Sequence, residues 1–279
     1  MKTREEILSS MRRKIAAGQP IIGGGAGTGL SAKCSEEAGL DFIVVYNSGR
    51  YRMAGRSSMA GLMPYGDANQ IVMDMGSEIL TVVEEIPVVA GVCGTDPFRL
   101  MPQFLKGIKD AGFSGVQNYP TVCLFEGIIR ANLEETGLGF YKEVEMIAEA
   151  HALDLFTATY VANIDEAVAM AEAGADVIVP HMGLTTSGMI GATTALTLEE
   201  SKVKVRELME AARSVNPDAI VVCHGGPIAS PAEAAEVIAA VPGIDGFLGA
   251  SSMERLPTEV AMVEHMSSYT RIALPARSA

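Results

Sequence analysis

Two of the four histidines in this chain stand where short apolar runs stop: His181 in VIVPHMG (177–183) and His224 in VVCHGGPIAS (221–230). Imidazole titrates near neutral pH, so two of them delivered to one place can act as general acid and base. The same pair can serve as two ligands of a metal ion that takes a carboxylate as its third. Hydrogen-bonded structural histidines are the competing reading. His224 runs at once into Gly225 and Gly226, and a helix follows from Ser230 and Pro231. Glycine backbone beside a helix start lets an anion approach N–H groups closely. GFLGASSMER (246–255) has a matching composition, which makes Gly249, Ala250, Ser251 and Ser252 candidates for a second wall of an anion site. Plain turns with a capping serine would look alike.

Other chemistry-bearing residues stand at the ends of further apolar runs. In chain order they are Gly25, then Tyr46, Asn47, Ser48 and Arg50, then Cys93 near Asp96, then Gln117 with Asn118, and Tyr160. Asn118 or Gln117 is placed to donate to a developing oxyanion, and Glu126 is the candidate carboxylate partner, as a base or through a metal. Arg50, Arg52 and Arg56 fall in a loop rich in small residues, which suits a mobile lid that clamps a carboxylate or phosphate; a subunit contact is the alternative. Cys93 is the better placed thiol, because Cys223 should point away from the side that His224 uses. No lysine ends an apolar run, which disfavours Schiff-base chemistry, and no nucleophile elbow is present.

The elements that carry these residues repeat. Eight apolar runs (20–24, 41–46, 87–93, 113–117, 154–160, 176–180, 219–223 and 244–248) alternate with helical stretches. Several are continuously apolar, as strands covered on both faces must be. Ala-Gly pairs at 38–39, 111–112 and 173–174 give left-handed helix stops before strands. The expectation is a single (β/α)8 barrel, a TIM barrel over 1–279, with an extra N-terminal helix (1–18) and a short tail (269–279). A long loop is expected after the second strand, and two helical pieces between 121 and 153, broken near 137–139. In such a barrel, chemistry collects at the C-terminal strand ends, with anions held by the seventh and eighth loops. A doubly wound dinucleotide fold competes, since residues 27–32 fit G-x-G-x-x-G/A. The second strand, however, ends in Tyr46-Asn47-Ser48 with no acid for a ribose, so no NAD is expected.

Composition narrows the partners. The net charge is −13 over 279 residues, with a sequence pI near 4.8 and mean hydropathy of +0.25. An acidic surface disfavours nucleic acid but leaves a small anionic substrate open. No apolar run is long enough to span a membrane, and the charged N-terminus does not read as a signal peptide. Four scattered cysteines without a CxxC pair fit a reduced, cytoplasmic setting.

Four longer motifs then carry a resemblance: residues 118–147 (NYPTVCLFEGIIRANLEETGLGFYKEVEMI), 173–188 (AGADVIVPHMGLTTSG), 221–231 and 246–259. They resemble the phosphoenolpyruvate hydrolase-like family of barrel proteins, essentially from Arg4 to Ile272. The resemblance implies a barrel, a homo-oligomer, and a distant tie to the phosphoenolpyruvate mutase and isocitrate lyase superfamily. It carries over as candidates Asn118, Glu126, Arg130, Glu134, Glu135, His181, Thr185, Thr186, His224, Gly225, Gly226 and Ser251. It also raises a divalent metal, although Asp96 is the only acid near the third and fourth strand ends. The expected activity is cleavage of a C–C, P–C or P–O bond in a small 2-oxo acid or enol phosphate through an enolate. A non-catalytic or regulatory barrel binding a small anion or a partner protein is the second reading. A metal-dependent lyase or oxygenase using both histidines is the third.

Overall fold

Strands sealed on both faces must be apolar throughout and need helices outside them. Seven of the eight strands here are buried at every position; only Ile22 of the other is half-exposed. In the computed structural model, which describes residues 2–275, they form a closed parallel barrel in sequence order, β8 pairing back onto β1. The strands are β1 (Ile21–Gly25), β2 (Phe42–Val45), β3 (Val88–Val92), β4 (Gly115–Asn118), β5 (Phe156–Val161), β6 (Val177–Pro180), β7 (Ile220–His224) and β8 (Gly246–Gly249). Each expected run supplies one strand, with ends shifted by at most two residues.

Eleven helices are described: α1 (Arg4–Ala16), α2 (Gly29–Glu37), α3 (Asn47–Met53), α4 (Ala68–Ile79), α5 (Met101–Asp110), α6 (Gly127–Glu135), α7 (Tyr141–Ala152), α8 (Ile164–Glu172), α9 (Leu198–Val215), α10 (Pro231–Ala240) and α11 (Arg255–Thr270). The extra N-terminal helix is α1. Thr3 caps it, with Glu6 returning a bond to the Thr3 amide. Its Arg4 holds Asp176 through Nε and Nη2 (2.9 and 2.7 Å), tying α1 to the start of β6. The helical break predicted near 137–139 separates α6 from α7. The expected tail starts within the last turn of α11, and its residues 276–279 lie outside those described.

The stretch after β2 corrects an expectation. It is not simply a long loop: it starts with α3 and continues into a 3-10 turn, Ser58–Leu62. The small residues that suggested mobility instead allow close packing. A side chain at Gly61 would overlap Ser48 Oγ.

The barrel's interior and its outer wall differ in how they are filled. Inside, Phe42 meets Phe156 edge to face, with centroids 5.7 Å apart, so the lower interior is a packed core rather than a channel. Outside, α11 leaves Val260, Met262, Val263, Met266 and Tyr269 all exposed, and Arg255 is its one buried residue.

Candidate active site

Side chains alternate in and out along a strand, and this parity decides what reaches the mouth. Tyr160, at the C-terminal end of β5, points inward. His181 follows β6, His224 ends β7, and the two are joined by an isolated parallel bridge. The three rings gather in one cluster, with centroids 4.7 Å apart for the histidines and 4.8 Å from Tyr160 to each.

Hydrogen bonding fixes both tautomers. His224 Nδ1 lies 2.7 Å from the carbonyl oxygen of Leu248 and must donate to it. Its Nε2 is therefore an acceptor, and the Tyr160 hydroxyl donates to it at 3.3 Å. His181 is the reverse: Nδ1 accepts the Gly183 amide at 3.0 Å, leaving Nε2–H as a donor. One imidazole offers a lone pair and its neighbour a proton. Burial pushes His224 down to about 4, with Arg52 adding to the effect against the Leu248 bond. Burial, then His224 and Lys204, hold His181 well below its ordinary value. Both rings are neutral at pH 7, which corrects the expectation of titration near neutrality.

The positive pole is Arg52, one turn into α3. It is 2% exposed and pairs with the equally buried Glu254 through Nε (2.7 Å) and Nη2. Glu254 also accepts the Gly27 amide and the Ser31 hydroxyl. The guanidinium lies 5.6 Å from the Tyr46 ring centroid. A Cβ on Gly25 would stand 3.2 Å from both Arg52 Nη2 and Tyr46 Oη, so glycine there keeps both groups clear. Arg52, Tyr46, Tyr160, His181 and His224 line one small chamber of about 40 Å³, closed by Ser48, Ser58, Met59, Tyr119, Leu124, Leu184, Thr185, Ala250 and Ser251. The turn at 58–62 roofs it. Ser48 Oγ donates to the Ser58 carbonyl at 2.6 Å and bonds Tyr119 Oη, while Asn47 Nδ2 donates to the Gly61 carbonyl at 2.9 Å.

The predicted residues thus divide. His181, His224, Tyr46, Ser48, Tyr160, Ala250 and Ser251 line the chamber, and Gly25 adjoins it. Asn47 and Cys93 line a separate, larger cleft of about 560 Å³. Asn118 corrects an expectation: it points outward to the helix layer. There its amide nitrogen donates to Glu143 (2.7 Å) and the Tyr160 carbonyl (3.1 Å), and its oxygen accepts the Tyr160 amide (2.7 Å). It has no donor left for an oxyanion. Glu126 is likewise corrected, since it is an exposed residue before α6 and does not line the chamber.

Arg50 is exposed, 3.8 Å from Glu78 on the outer wall; the arginine two residues later is the one that turns in. Gln117 is fully buried with both amide atoms unpartnered, and it does not line the chamber. Gly225 and Gly226 take positive φ (77° and 57°), and the Gly226 amide is spent on the Gly183 carbonyl at 2.8 Å. They shape the turn, and the cation that lines the chamber is Arg52. Gly249 faces Met253, and Ser252 does not line the chamber. Arg130 pairs with Glu134 and Glu166 between helices (2.8 and 2.7 Å), away from the mouth.

Sequence reasoning missed Glu254, Tyr119 and Ser58. Glu254 sits in the GASSMER motif, three residues past Ser251, and as the one acid between Asp245 and Glu259 it was a usable signal. The buried acid behind the mouth is Glu143, not Glu126. Burial raises it to about 8 against three donors: Val122 N at 2.6 Å, and Thr121 Oγ1 and Asn118 Nδ2 at 2.7 Å.

The donor set does not fit a hard divalent ion, which seeks several free oxygen ligands. Glu254 and Glu143 are spent on the partners above, and Asp96 on Asn69 and Arg99. Among the described residues no three His, Cys, Asp or Glu side chains are grouped to hold a metal. Also among them, no helix is long and apolar enough to cross a membrane.

Comparison with known proteins adds three findings. A family model described as phosphoenolpyruvate hydrolase-like matches residues 6–272. The ToMV susceptible protein tm-1(GCR26) and the ToMV resistance protein Tm-1(GCR237) of tomato, Solanum lycopersicum, are each 58% identical over 274 residues. The match takes in 98% of this chain but 36% of theirs, so the chain spans about a third of these curated relatives. Among solved structures, 2,3-dimethylmalate lyase, a phosphoenolpyruvate mutase/isocitrate lyase superfamily member, superposes with a TM-score of 0.61 at 17% identity, covering 99% of this chain and 90% of that one. Phosphonopyruvate hydrolase in complex with oxalate and Mg²⁺ gives 0.56 at 18% identity, covering 97% and 92%. At these identities the likeness is one of fold.

Proposed function

Because the chain belongs to the phosphoenolpyruvate hydrolase-like family, we propose that it is a lyase or hydrolase acting on a small 2-oxo acid or enol phosphate, cleaving a C–C, P–C or P–O bond next to an enolate. The observation that carries this reading is the pair of neutral imidazoles with opposite tautomers beside a buried arginine in a nearly closed chamber.

In this mechanism the substrate carboxylate is held by Arg52, whose charge Glu254 fixes in place, with Tyr46 alongside. His181 Nε2–H donates to the carbonyl oxygen as it becomes an enolate oxygen, from inside a water-poor site where such a bond is strong. A water (hydrolysis) or the substrate's own hydroxyl (lyase) gives its proton to Tyr160 Oη while the Tyr160 proton passes to His224 Nε2. The water or hydroxyl oxygen forms its new bond as the C–C, P–C or P–O bond breaks, and the released electron pair becomes the enolate. Tyr160 ends neutral, and the charge rests on an imidazolium whose Nδ1–H bonds Leu248. The same pair then returns that proton to the enolate carbon, which completes the cleavage and restores the neutral imidazole. No step is routed through a metal.

Enolisation tests this directly. Pyruvate and 2-oxobutanoate in D₂O should exchange their C3 protons when the protein is added, followed by ¹H NMR. Phosphonopyruvate, phosphoenolpyruvate, oxaloacetate and alkylmalates should be scanned alongside for release of a 2-oxo acid. Neither exchange nor cleavage across the panel would sink the enzyme reading. The second reading, a barrel that binds an anion or a partner without turnover, draws on the tomato relatives, which are described by virus susceptibility and resistance and not by a reaction. A homo-oligomer is supported by the exposed apolar side chains of α11.

A further inference from the structure

The chamber is too small for the substrate proposed for it. About 40 Å³ has room for only a few water molecules, each needing about 10–15 Å³ of such space. Next to it lies the cleft of about 560 Å³, several times the ~150 Å³ that accommodates a benzene ring. Consecutive residues of the same three segments line the two spaces. Ser48 faces the chamber and Asn47 the cleft; Ser58 and Met59 face the chamber, Gly61 and Leu62 the cleft; Tyr119 faces the chamber, Pro120 the cleft. The partition between them is thin. It consists of the Ser48 and Tyr119 hydroxyls meeting at the Ser58 carbonyl.

The cleft has the make-up of a binding site: mostly apolar walls with a few convergent polar groups. Met63 and Phe98 stand exposed at its lip. Asn47, 2% exposed, lines it, and its Oδ1 is a buried acceptor without a hydrogen-bond partner. Buried acceptors are rarely left unpaired, so this one marks where a ligand N–H or O–H would be satisfied.

We infer that the ligand is bipartite: an anionic oxo-acid head held at Arg52 and the histidines, and an apolar arm bearing a hydrogen-bond donor, laid across the Ser48–Tyr119–Ser58 partition into the Asn47 cleft. The inference rests on the proposed function and names the substrate class of the same site.

Titration calorimetry with pyruvate, 2-oxobutanoate, 2-oxopentanoate and 2-oxohexanoate tests it. Each methylene buried in the cleft should tighten binding about fourfold, so 2-oxohexanoate should bind on the order of 50-fold tighter than pyruvate. Ala68→Phe and Leu138→Trp, which fill the cleft from two different elements, should each flatten the series to within about fivefold. Arg52→Met should remove binding of every member. A flat series that still depends on Arg52 overturns the bipartite ligand and leaves the anion site standing. A rising series that neither filling variant flattens also overturns it. Binding by no member overturns both this inference and the function it rests on.

Discussion

The Tyr160 hydroxyl stands 3.3 Å from Nε2 of His224, and the opposite nitrogen of that ring is held 2.7 Å from the Leu248 carbonyl. The ring therefore cannot exchange its two nitrogens without losing both partners, and its accepting side always faces the chamber.

If that pair moves the proton, removing either member should slow turnover with little change in binding. Tyr160→Phe and His224→Gln should each lower kcat by about 10²–10⁴, with KM moving less than tenfold. A KM effect larger than the kcat effect would assign the pair to substrate binding instead.

Burial of His224 has a consequence for stability against pH. The ring takes its proton near 6.5 when unfolded and only near 4 when folded. Between those values the unfolded chain holds the extra proton, so this contribution is present above pH 6.5 and is lost as pH falls toward 4. Two and a half pH units correspond to about 3 kcal/mol. Glu143 acts with the opposite sign: its carboxyl keeps a proton up to about 8 in the fold, so its contribution is lost as pH rises from 4.5 to 8. The two slopes oppose each other, so the measurement is a difference. Urea unfolding of wild type and His224→Gln at pH 6.5 and 4.5 should show a smaller loss in the variant; equal losses would count against a buried neutral ring.

Breaking the Arg52–Glu254 pair from one side leaves a charge buried alone. Glu254→Ala should cost about 3–5 kcal/mol in chemical denaturation, and it should abolish the proposed anion binding by freeing Gly27 and the first turn of α2. A loss under 1 kcal/mol would mean that water reaches Arg52 in the native state.

Gly61 lies against Ser48 so closely that any Cβ collides with its hydroxyl. Gly61→Ala should displace the roof, with destabilisation of about 1–3 kcal/mol and faster amide exchange over 58–62 by hydrogen–deuterium mass spectrometry. Unchanged exchange there would show that the roof does not depend on the Ser48 contact.

The exposed apolar positions of α11 should lose a partner surface when charged. Val263→Asp combined with Met266→Glu should shift sedimentation toward a smaller species, with the barrel's circular dichroism unchanged. The same sedimentation for both proteins would exclude α11 from any interface.

Most of the barrel was legible in the sequence because continuously apolar runs between helix stops have few other folds available. All eight runs became strands, and both strand-end histidines reached the mouth. What could not be read was facing. Asn118 and Gln117 are neighbours, and strand parity sends one to the helices and the other to the interior; an error of one residue in the strand's end reverses the two. Arg50 and Arg52 separate in the same way, because α3 was expected as loop and a helix turns residues two apart to different sides. Glu126 and Glu143 both belong to the long resemblance motif, and only the packing of α7 against β4 and β5 buries the second.

Glu254 clasps the amide of Gly27, a partner 227 residues earlier in the chain, together with Arg52. The chamber proposed to receive an anion is therefore not complete until the last strand has been laid down and the chain has turned into α11. During synthesis or refolding, the early segments can build their share of the wall, but Arg52 lacks its counter-charge until the end of the chain arrives. Anion binding would then report barrel closure itself: a chain stalled with β8 undocked would keep most of its secondary structure and yet be blind to its ligand.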